Sequence, residues 1–239
     1  MTAPYGMDLV ENCETCPMRK NGFFCHLSAP ALQAFSKAKF TTNYPAEAVL
    51  FVEGQTPRGV YMLCKGRVKL TMNSVDGRTL IVRICEPGEV MGLQATVSGE
   101  PYELTAEALQ PCQVNFVRRD DFLKLLREYP EVSSIAMRQL SNGYRKACQE
   151  IRYLGLSRSA SEKVAQFLIE TSANAQQTGQ GKRFHLGLTH EEISQIVGIS
   201  RETVTRTMTD FKAKMLIATK GSTVVIRNES ALRAQAAAA

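Results

Sequence analysis

From Phe40 to Phe116 the apolar residues come in short runs, each closed by turn formers. Val49-Leu50-Phe51-Val52 stops at Glu53-Gly54, Tyr61-Met62-Leu63 at Lys65-Gly66, and Val68 to Met72 at Asp76-Gly77. Leu80 to Ile84 precedes Glu86-Pro87-Gly88-Glu89. Short strands with glycine turns at this spacing predict an antiparallel sandwich or barrel. Beyond Asp120 the period becomes helical. Pro130 can open a helix, because its missing N–H is not needed in the first turn. Val132, Ile135, Ala136, Leu140, Tyr144, Ala147, Ile151 and Leu154 then recur at intervals of three or four, apart from one adjacent pair. A stripe this long and narrow suits a helix that pairs with its own copy better than one laid across its own domain. The predicted dimer contacts are Leu140, Tyr144, Ala147, Ile151 and Leu154.

The flanking segments are less regular. Residues 1–30 are Cys-rich, and a short helix is expected from Ala31 to about Lys39. Ser159 with Glu162 has capping-box spacing and predicts a helix to about Thr171. Asn174 to Gly181 reads as a polar loop, and Ala234 to Ala239 as a frayed low-complexity tail.

Between Leu188 and Ile217 the pattern is more specific. Thr189 and Glu192 form a second capping box, opening a helix with Ile193, Ile196 and Val197 on one face. Gly198 ends it, because glycine takes the left-handed conformation without strain. Ile199 plugs the space between helices and Ser200 caps the next one. On that next helix Val204, Met208 and Phe211 share one side, while Arg201, Glu202, Thr205, Arg206 and Thr209 fill the other. Arginine can bond bidentately to guanine and glutamate can accept from cytosine, so the outer arc has the chemistry of a base reader. The bland alternative is an exposed helix held by an Arg/Glu pair. Two capped helices around a glycine turn favour a helix-turn-helix. Lys212, Lys214 and Lys220 are then expected on phosphates, and Val224-Val225-Ile226 as the return strand of a wing.

With 239 residues, 44% hydrophobic and 22% charged, the chain is long enough for two ordinary globular domains. A net charge of +6 is compatible with a nucleic-acid partner. No apolar run approaches the roughly 18 residues of a membrane span, and the polar N-terminus shows no signal peptide. A cytoplasmic location follows as the expectation, with the seven cysteines reduced. Cys13, Cys16 and Cys25 crowd the first 25 residues, whereas Cys64, Cys85, Cys112 and Cys148 are scattered. An exposed pair such as Cys13 and Cys16 in a polar segment buries little. It reads as metal-binding or redox-active, while Cys64, Cys85 and Cys148 read as small buried hydrophobes.

The stretch Ile199-Ser200-Arg201-Glu202-Thr203-Val204-Thr205-Arg206, the segment Gly66 to Gly92 and the helix after Pro130 carry a family resemblance. The chain resembles the superfamily of the cyclic-AMP receptor protein and the fumarate-and-nitrate-reduction regulator over almost its full length. The resemblance implies an α+β fold: an N-terminal antiparallel β-barrel of the jelly-roll type, a long dimerisation helix and a C-terminal winged helix-turn-helix. The expected map is 1–30 Cys-rich segment, 31–119 sensory barrel, 120–156 dimerisation helix region, 157–232 DNA-binding domain and 233–239 disordered tail. It further implies a homodimeric transcription regulator that contacts RNA polymerase. Because Arg201, Glu202 and Arg206 resemble the recognition residues of the cyclic-AMP receptor protein in type and spacing, the resemblance also implies palindromic DNA with TGTGA-like half-sites centred one helical turn apart.

Members that bind cyclic nucleotides hold the phosphate with an Arg-Ser or Arg-Thr pair and the ribose with a Glu after a Gly. Here Leu93 follows Gly92, and the Arg-Ser positions align with Tyr102 and Glu103. The span from Ile84 to Val117 also has five glutamates and no Lys or Arg. Such a stretch repels a phosphate, so no cyclic nucleotide is expected. The oxygen-sensing branch instead binds a [4Fe–4S] cluster through three N-terminal cysteines and one on the barrel. That resemblance implies Cys13, Cys16, Cys25 and Cys112 as its ligands, with eight residues separating Cys16 from Cys25. Four thiolates also suit tetrahedral zinc, and the N-terminal trio could form a reversible disulfide.

An enzyme on a cupin-like barrel would hold its metal with barrel histidines. His26, His185 and His190 are the only histidines and none falls in the predicted strands. An electron carrier would not need a helix-turn-helix. A regulator, not an enzyme, is expected.

Overall fold

The computed structural model describes residues 4–7, 9, 13–14, 16, 22, 25–156, 159–173 and 175–237. The chain divides into two compact units, Met1–Lys146 and Ala147–Ala239. Among the described residues no helix is long and apolar enough to cross a membrane.

The first unit runs α1 (Ala29–Ala38), β1 (Lys39–Tyr44), β2 (Val49–Phe51), β3 (Gly59–Lys65), β4 (Val68–Asn73), β5 (Thr79–Cys85), β6 (Val90–Met91), α2 (Leu93–Ser98), β7 (Thr105–Ala108), β8 (Cys112–Arg118) and α3 (Arg119–Glu128). The expected barrel is not closed. The strands form two sheets, β1-β8-β3-β6 and β2-β7-β4-β5, in a jelly roll. Its interior is filled from both sheets by Phe51, Tyr61, Leu63, Val68, Leu70, Cys85, Tyr102, Cys112 and Val114.

A second apolar cluster lies on the other face of the first sheet. Strand alternation makes this division, since successive side chains point to opposite faces. On β3, Tyr61 and Leu63 turn inward, while Val60, Met62 and Cys64 turn outward to meet α1, α3 and the next helix. That helix, α4 (Pro130–Leu156), begins at the predicted proline.

The predicted stripe on α4 divides. Val132 and Ala136 are buried in the outward cluster, with Ile135 and Leu140 packed against it. Tyr144 and Ile151 are exposed, as is Met137, which the stripe did not include. Ala147 is exposed as well, and the side chain of Leu154 lies outside the described residues. The first turns of α4 are thus fastened to their own domain, while Met137, Tyr144 and Ile151 follow one another at heptad spacing.

The second unit holds α5 (Ala160–Thr171), β9 (Gln176–Thr178), β10 (Gly181–His185), α6 (His190–Val197), α7 (Arg201–Ala213), β11 (Ile217–Lys220), β12 (Thr223–Ile226) and α8 (Glu229–Ala237). The sheet order is β11-β12-β10-β9, so the wing strand pairs as predicted. The segment read as a polar loop contains β9, whose backbone pairs with β10 although its side chains are polar. The segment read as a frayed tail is helical to Ala237. Leu232 is buried in the domain core, Ala236 packs against it, and the Ser161 hydroxyl donates to Gln235 at 3.3 Å.

Candidate functional site

Two sites take shape, one in each unit. In the second, α6 is opened by the predicted capping box: the Thr189 side chain accepts from the Glu192 N–H, and Glu192 accepts from the Thr189 N–H. Gly198 closes α6 at φ 65°, a conformation a side chain would strain. Ser200 caps α7, accepting from the Thr203 N–H at 3.2 Å. Val204, Met208 and Phe211 of α7 are buried with Ile193 and Val197 of α6.

That packing turns Arg201, Glu202, Thr205, Arg206 and Thr209 to the outside, all exposed, as are Lys212, Lys214 and Lys220. Among the described ion pairs none involves Arg201 or Arg206. The bland Arg/Glu staple is therefore not what organises this face. Its own backbone N–H, the Ser200 hydroxyl and Arg201 hold the Glu202 carboxyl below the usual carboxylate range, so it stays a pure acceptor.

His190 is a feature the sequence reading passed over. Its Nδ1 lies 2.9 Å from the Thr205 hydroxyl, which also donates to the Arg201 carbonyl at 3.0 Å. Partial burial, then Lys212 and Arg201, hold the imidazole below its ordinary pKa, favouring the neutral ring. Thr205 thus spends its hydroxyl within the domain.

In the first unit, cysteines gather on the outward face of the β1-β8-β3-β6 sheet. Cys13 and Cys64 are both buried in the outward cluster. Between them sits Asn115 of β8, 1% exposed, whose Nδ2 is 3.2 Å from Cys64 Sγ and 4.0 Å from Cys13 Sγ. Its Oδ1 accepts from the Thr41 hydroxyl at 2.7 Å, which fixes the amide's orientation. Burial pushes the Cys64 thiol up to about 12; Cys13 pushes the same way, Lys39 opposes, and Cys16 and Cys25 add to the rise.

Cys112 does not join this group. It shares its face of β8 with Val114, inside the jelly roll, and burial alone raises its thiol to about 11. The expectation that it completes the N-terminal set is not met, because positions three apart on a strand face opposite ways. Cys85 is also interior, as expected, but Cys148 is exposed rather than buried. Among the described residues no three His, Cys, Asp or Glu side chains converge tightly enough to hold a metal ion as they stand.

A short path joins the cysteine segment to α4. The Ser28 N–H and hydroxyl both donate to the Glu131 carboxylate, the N–H at 3.1 Å. Three residues after Cys25, the chain is therefore tied to the first turn of the long helix.

The jelly-roll interior bears on ligand choice. Phe51 stacks on Tyr102 at 4.2 Å between ring centroids, and Tyr61 lies 5.2 Å from Phe51. The Tyr102 hydroxyl donates to the Gly59 carbonyl at 2.9 Å. Gly92 sits against that ring so closely that a Cβ there would be 2.8 Å from it, and Leu93 is buried beside it. The carboxylates from Ile84 onward are not as unopposed as they look in sequence. Lys69 meets Glu107 at 2.8 Å, Arg67 meets Glu86 at 3.0 Å, and Arg83 meets Glu89. Aromatic side chains make up much of the interior between the two sheets on this side.

Comparison with known proteins follows the same two units. Residues 41–129 match the family model of the cyclic nucleotide-binding domain, and residues 162–235 that of the Crp-like helix-turn-helix domain. The chain is similar to the nitrogen fixation regulation protein FixK of Azorhizobium caulinodans, at 30% identity over 77% of this chain and 74% of that protein. A CRP-like cAMP-activated global transcriptional regulator of Mycobacterium tuberculosis is 26% identical over 92% of this chain and 98% of its own length. Among solved structures, FixK2 from Bradyrhizobium japonicum superposes with a TM-score of 0.74 at 26% identity, covering 84% of this chain and 98% of that one.

Proposed function

The chain belongs to the CRP/FNR superfamily of DNA-binding transcription regulators, and from that premise we propose a redox or oxygen sensor whose signal is read by an iron–sulfur cluster on its N-terminal thiolates. It is a regulator and not an enzyme. The observation that carries the sensing half is the burial of Cys13 in the same apolar cluster as Val132 and Ala136 of α4. A change at the cysteines is thereby felt by the helix that carries the dimer stripe.

No three potential ligand side chains converge on a metal position among the described residues, so the reading rests on the donor chemistry of the thiols and on their place along the chain. Four thiolates are what a [4Fe–4S] cluster requires, and the cluster supplies an oxygen-labile, redox-active centre. Cys13, Cys16 and Cys25 are the thiolates this segment offers. The chain's own part is mechanical: the Ser28–Glu131 contact, and the burial of Leu27 in the same apolar cluster as Val132, transmit the position of the segment to α4. The cAMP activation of the Mycobacterium tuberculosis relative is not carried over into this reading: Leu93 follows Gly92 where the resemblance expects a Glu, and Tyr102 and Glu103 stand where it expects Arg-Ser or Arg-Thr. Protein purified without air should be straw-brown and hold iron and acid-labile sulfide. Exposure to air should bleach it and change its affinity for DNA. Stoichiometric zinc without iron would leave a structural thiolate site in place of a sensor.

On the DNA side, a dimer reads a palindrome with TGTGA-like half-sites through Arg201, Glu202 and Arg206, and contacts RNA polymerase at promoters. Thr205 offers a thymine its methyl group, the hydroxyl being engaged by His190 and the Arg201 carbonyl. Arg206→Ala should weaken specific binding by about 1–3 kcal/mol and relax the preference for its guanine, as for the loss of a bidentate contact. Lys214→Ala should weaken all sequences alike and lower the salt dependence by about one counterion. A site selection from random DNA checks both. A consensus without a guanine in each half-site would mean the two arginines do not read bases.

A further inference from the structure

We infer that His190 is a DNA-contact residue that binds as its cation, each DNA-binding unit taking up one proton from solvent as the ring engages a phosphate. This rests on the reading of the outer face of α7 as the DNA face, and it adds a residue of α6 to that face.

Two distances fix where the ring already carries a proton. The Thr205 Oγ1 lies 3.0 Å from the Arg201 carbonyl oxygen and 2.9 Å from His190 Nδ1. A carbonyl oxygen only accepts, so the single hydroxyl proton goes to Arg201. Oγ1 must then accept from the imidazole, and the donor is Nδ1–H. In the neutral ring the other nitrogen, Nε2, is left with a bare lone pair. A second proton therefore enters at Nε2, and it does so without breaking the bond to Thr205. The ring keeps one orientation through both charge states.

The same bond places the ring at the DNA face. Arg201, Thr205, Thr209 and Lys212 recur at helical spacing along the exposed side of α7, and His190 stands half-buried against Thr205. The charges that face it from α7 are cations. Burial, then Lys212 and Arg201, hold it below the ordinary histidine pKa. On its own helix the carboxylates are engaged elsewhere. Glu192 accepts from the Thr189 N–H and hydroxyl, and Glu191 from the Gln195 amide at 3.5 Å. The free protein thus keeps Nε2 bare near neutral pH, and a bare nitrogen offers a phosphate oxygen no donor.

DNA reverses that balance. Lys212 and Arg201, which oppose protonation, are the groups set against backbone and base, and phosphates compensate their charge on binding. A phosphate oxygen near Nε2 also favours the imidazolium, which gives it a charged donor. The bound pKa therefore lies above the free one. Affinity is greatest below the free pKa, falls as pH rises from the free to the bound value, and is level above both.

The test uses the full-length protein and two labelled duplexes, one with the TGTGA palindrome and one scrambled. Fluorescence anisotropy reads the dissociation constant from about pH 5 to about pH 8 at fixed ionic strength, with circular dichroism as the check on folding. The wild-type constant should rise at least about tenfold across this range on both duplexes, because a phosphate contact is indifferent to sequence. His190→Asn keeps an amide donor for Thr205 but cannot be charged, so its profile should be flat. His190→Lys, a permanent cation, should hold the low-pH affinity of the wild type throughout. The slope should persist in His26→Asn and His185→Asn, which change the other two histidines. Imidazole nitrogen NMR of the free protein should find the neutral His190 ring protonated at Nδ1. Where His190→Asn folds poorly, that spectrum and the His190→Lys profile decide. A wild-type profile without slope, a slope that survives in His190→Asn, or a neutral ring protonated at Nε2 would each overturn the inference. A slope that depends on His190, with equal affinity for both duplexes, would support it and sink the TGTGA reading. Binding to neither duplex would overturn it together with the DNA-face reading.

Discussion

Ile151→Glu is expected to convert the dimer to monomers. Among the large apolar side chains of α4, Tyr144 is 75% and Ile151 71% exposed in the single chain. Val132 and Ala136 are already committed to their own domain, so they cannot be what a partner covers. Met137, 63% exposed, stands seven residues before Tyr144, and Ile151 seven after it. That repeat is what two helices need to pair along a seam. In a two-fold dimer the same residue enters from both chains, so one substitution places two charges in one interface. A carboxylate buried without a partner costs about 3–5 kcal/mol. At about 1.4 kcal/mol for each factor of ten, the dissociation constant should rise by at least a hundredfold. Sedimentation at micromolar concentration reads this directly. A variant that stays fully dimeric would show that α4 pairs through another face, and Tyr144→Glu would then be silent as well.

Much of this architecture was legible because local chemistry and long-range packing agree. Gly198 between two capped helices means one thing whatever surrounds it, and the recognition arc follows from helical spacing alone. The stripe on α4 was legible as a stripe but not as two halves. Apolar spacing does not say whether Val132 meets its own α1 and α3 or a partner's helix. β9 was missed because Gln176 and Gln177 pair through their backbones, and polar side chains leave no periodic trace. The alanine-rich end was misread for the opposite reason: one buried residue, Leu232, anchors α8, and composition hides it. Cys112 misled through position along the chain. Counting by two along β8 already sets Cys112 with Val114 and Phe116, and Asn115 with Val117. The nearness of Cys64 to Asn115 is a fact of pairing between β3 and β8, which only the assembled sheet contains.

The second large effect belongs to the other unit. Phe211→Ala should unfold the DNA-binding unit well below the temperature at which the first unit melts. Phe211 is 1% exposed and lies in one buried cluster with Val204 and Met208 of its own helix and with Val164, Leu168, Ile193 and Ile217 of other elements. Truncating such a ring removes its burial and leaves a cavity, at about 3–5 kcal/mol. For a domain of this size the whole stability is of order 5–15 kcal/mol, so most of it is at stake. The recognition arc has no other scaffold: Arg201, Glu202 and Arg206 point outward only because Val204, Met208 and Phe211 are held inward. Calorimetry should show one transition moved down by at least about 10 °C and a second left near its wild-type temperature. DNA binding should vanish at the first transition, while any metal held at the cysteine face is retained. A single transition displaced as a whole would instead mean that the two units unfold as one, with α4 coupling them through its entire length.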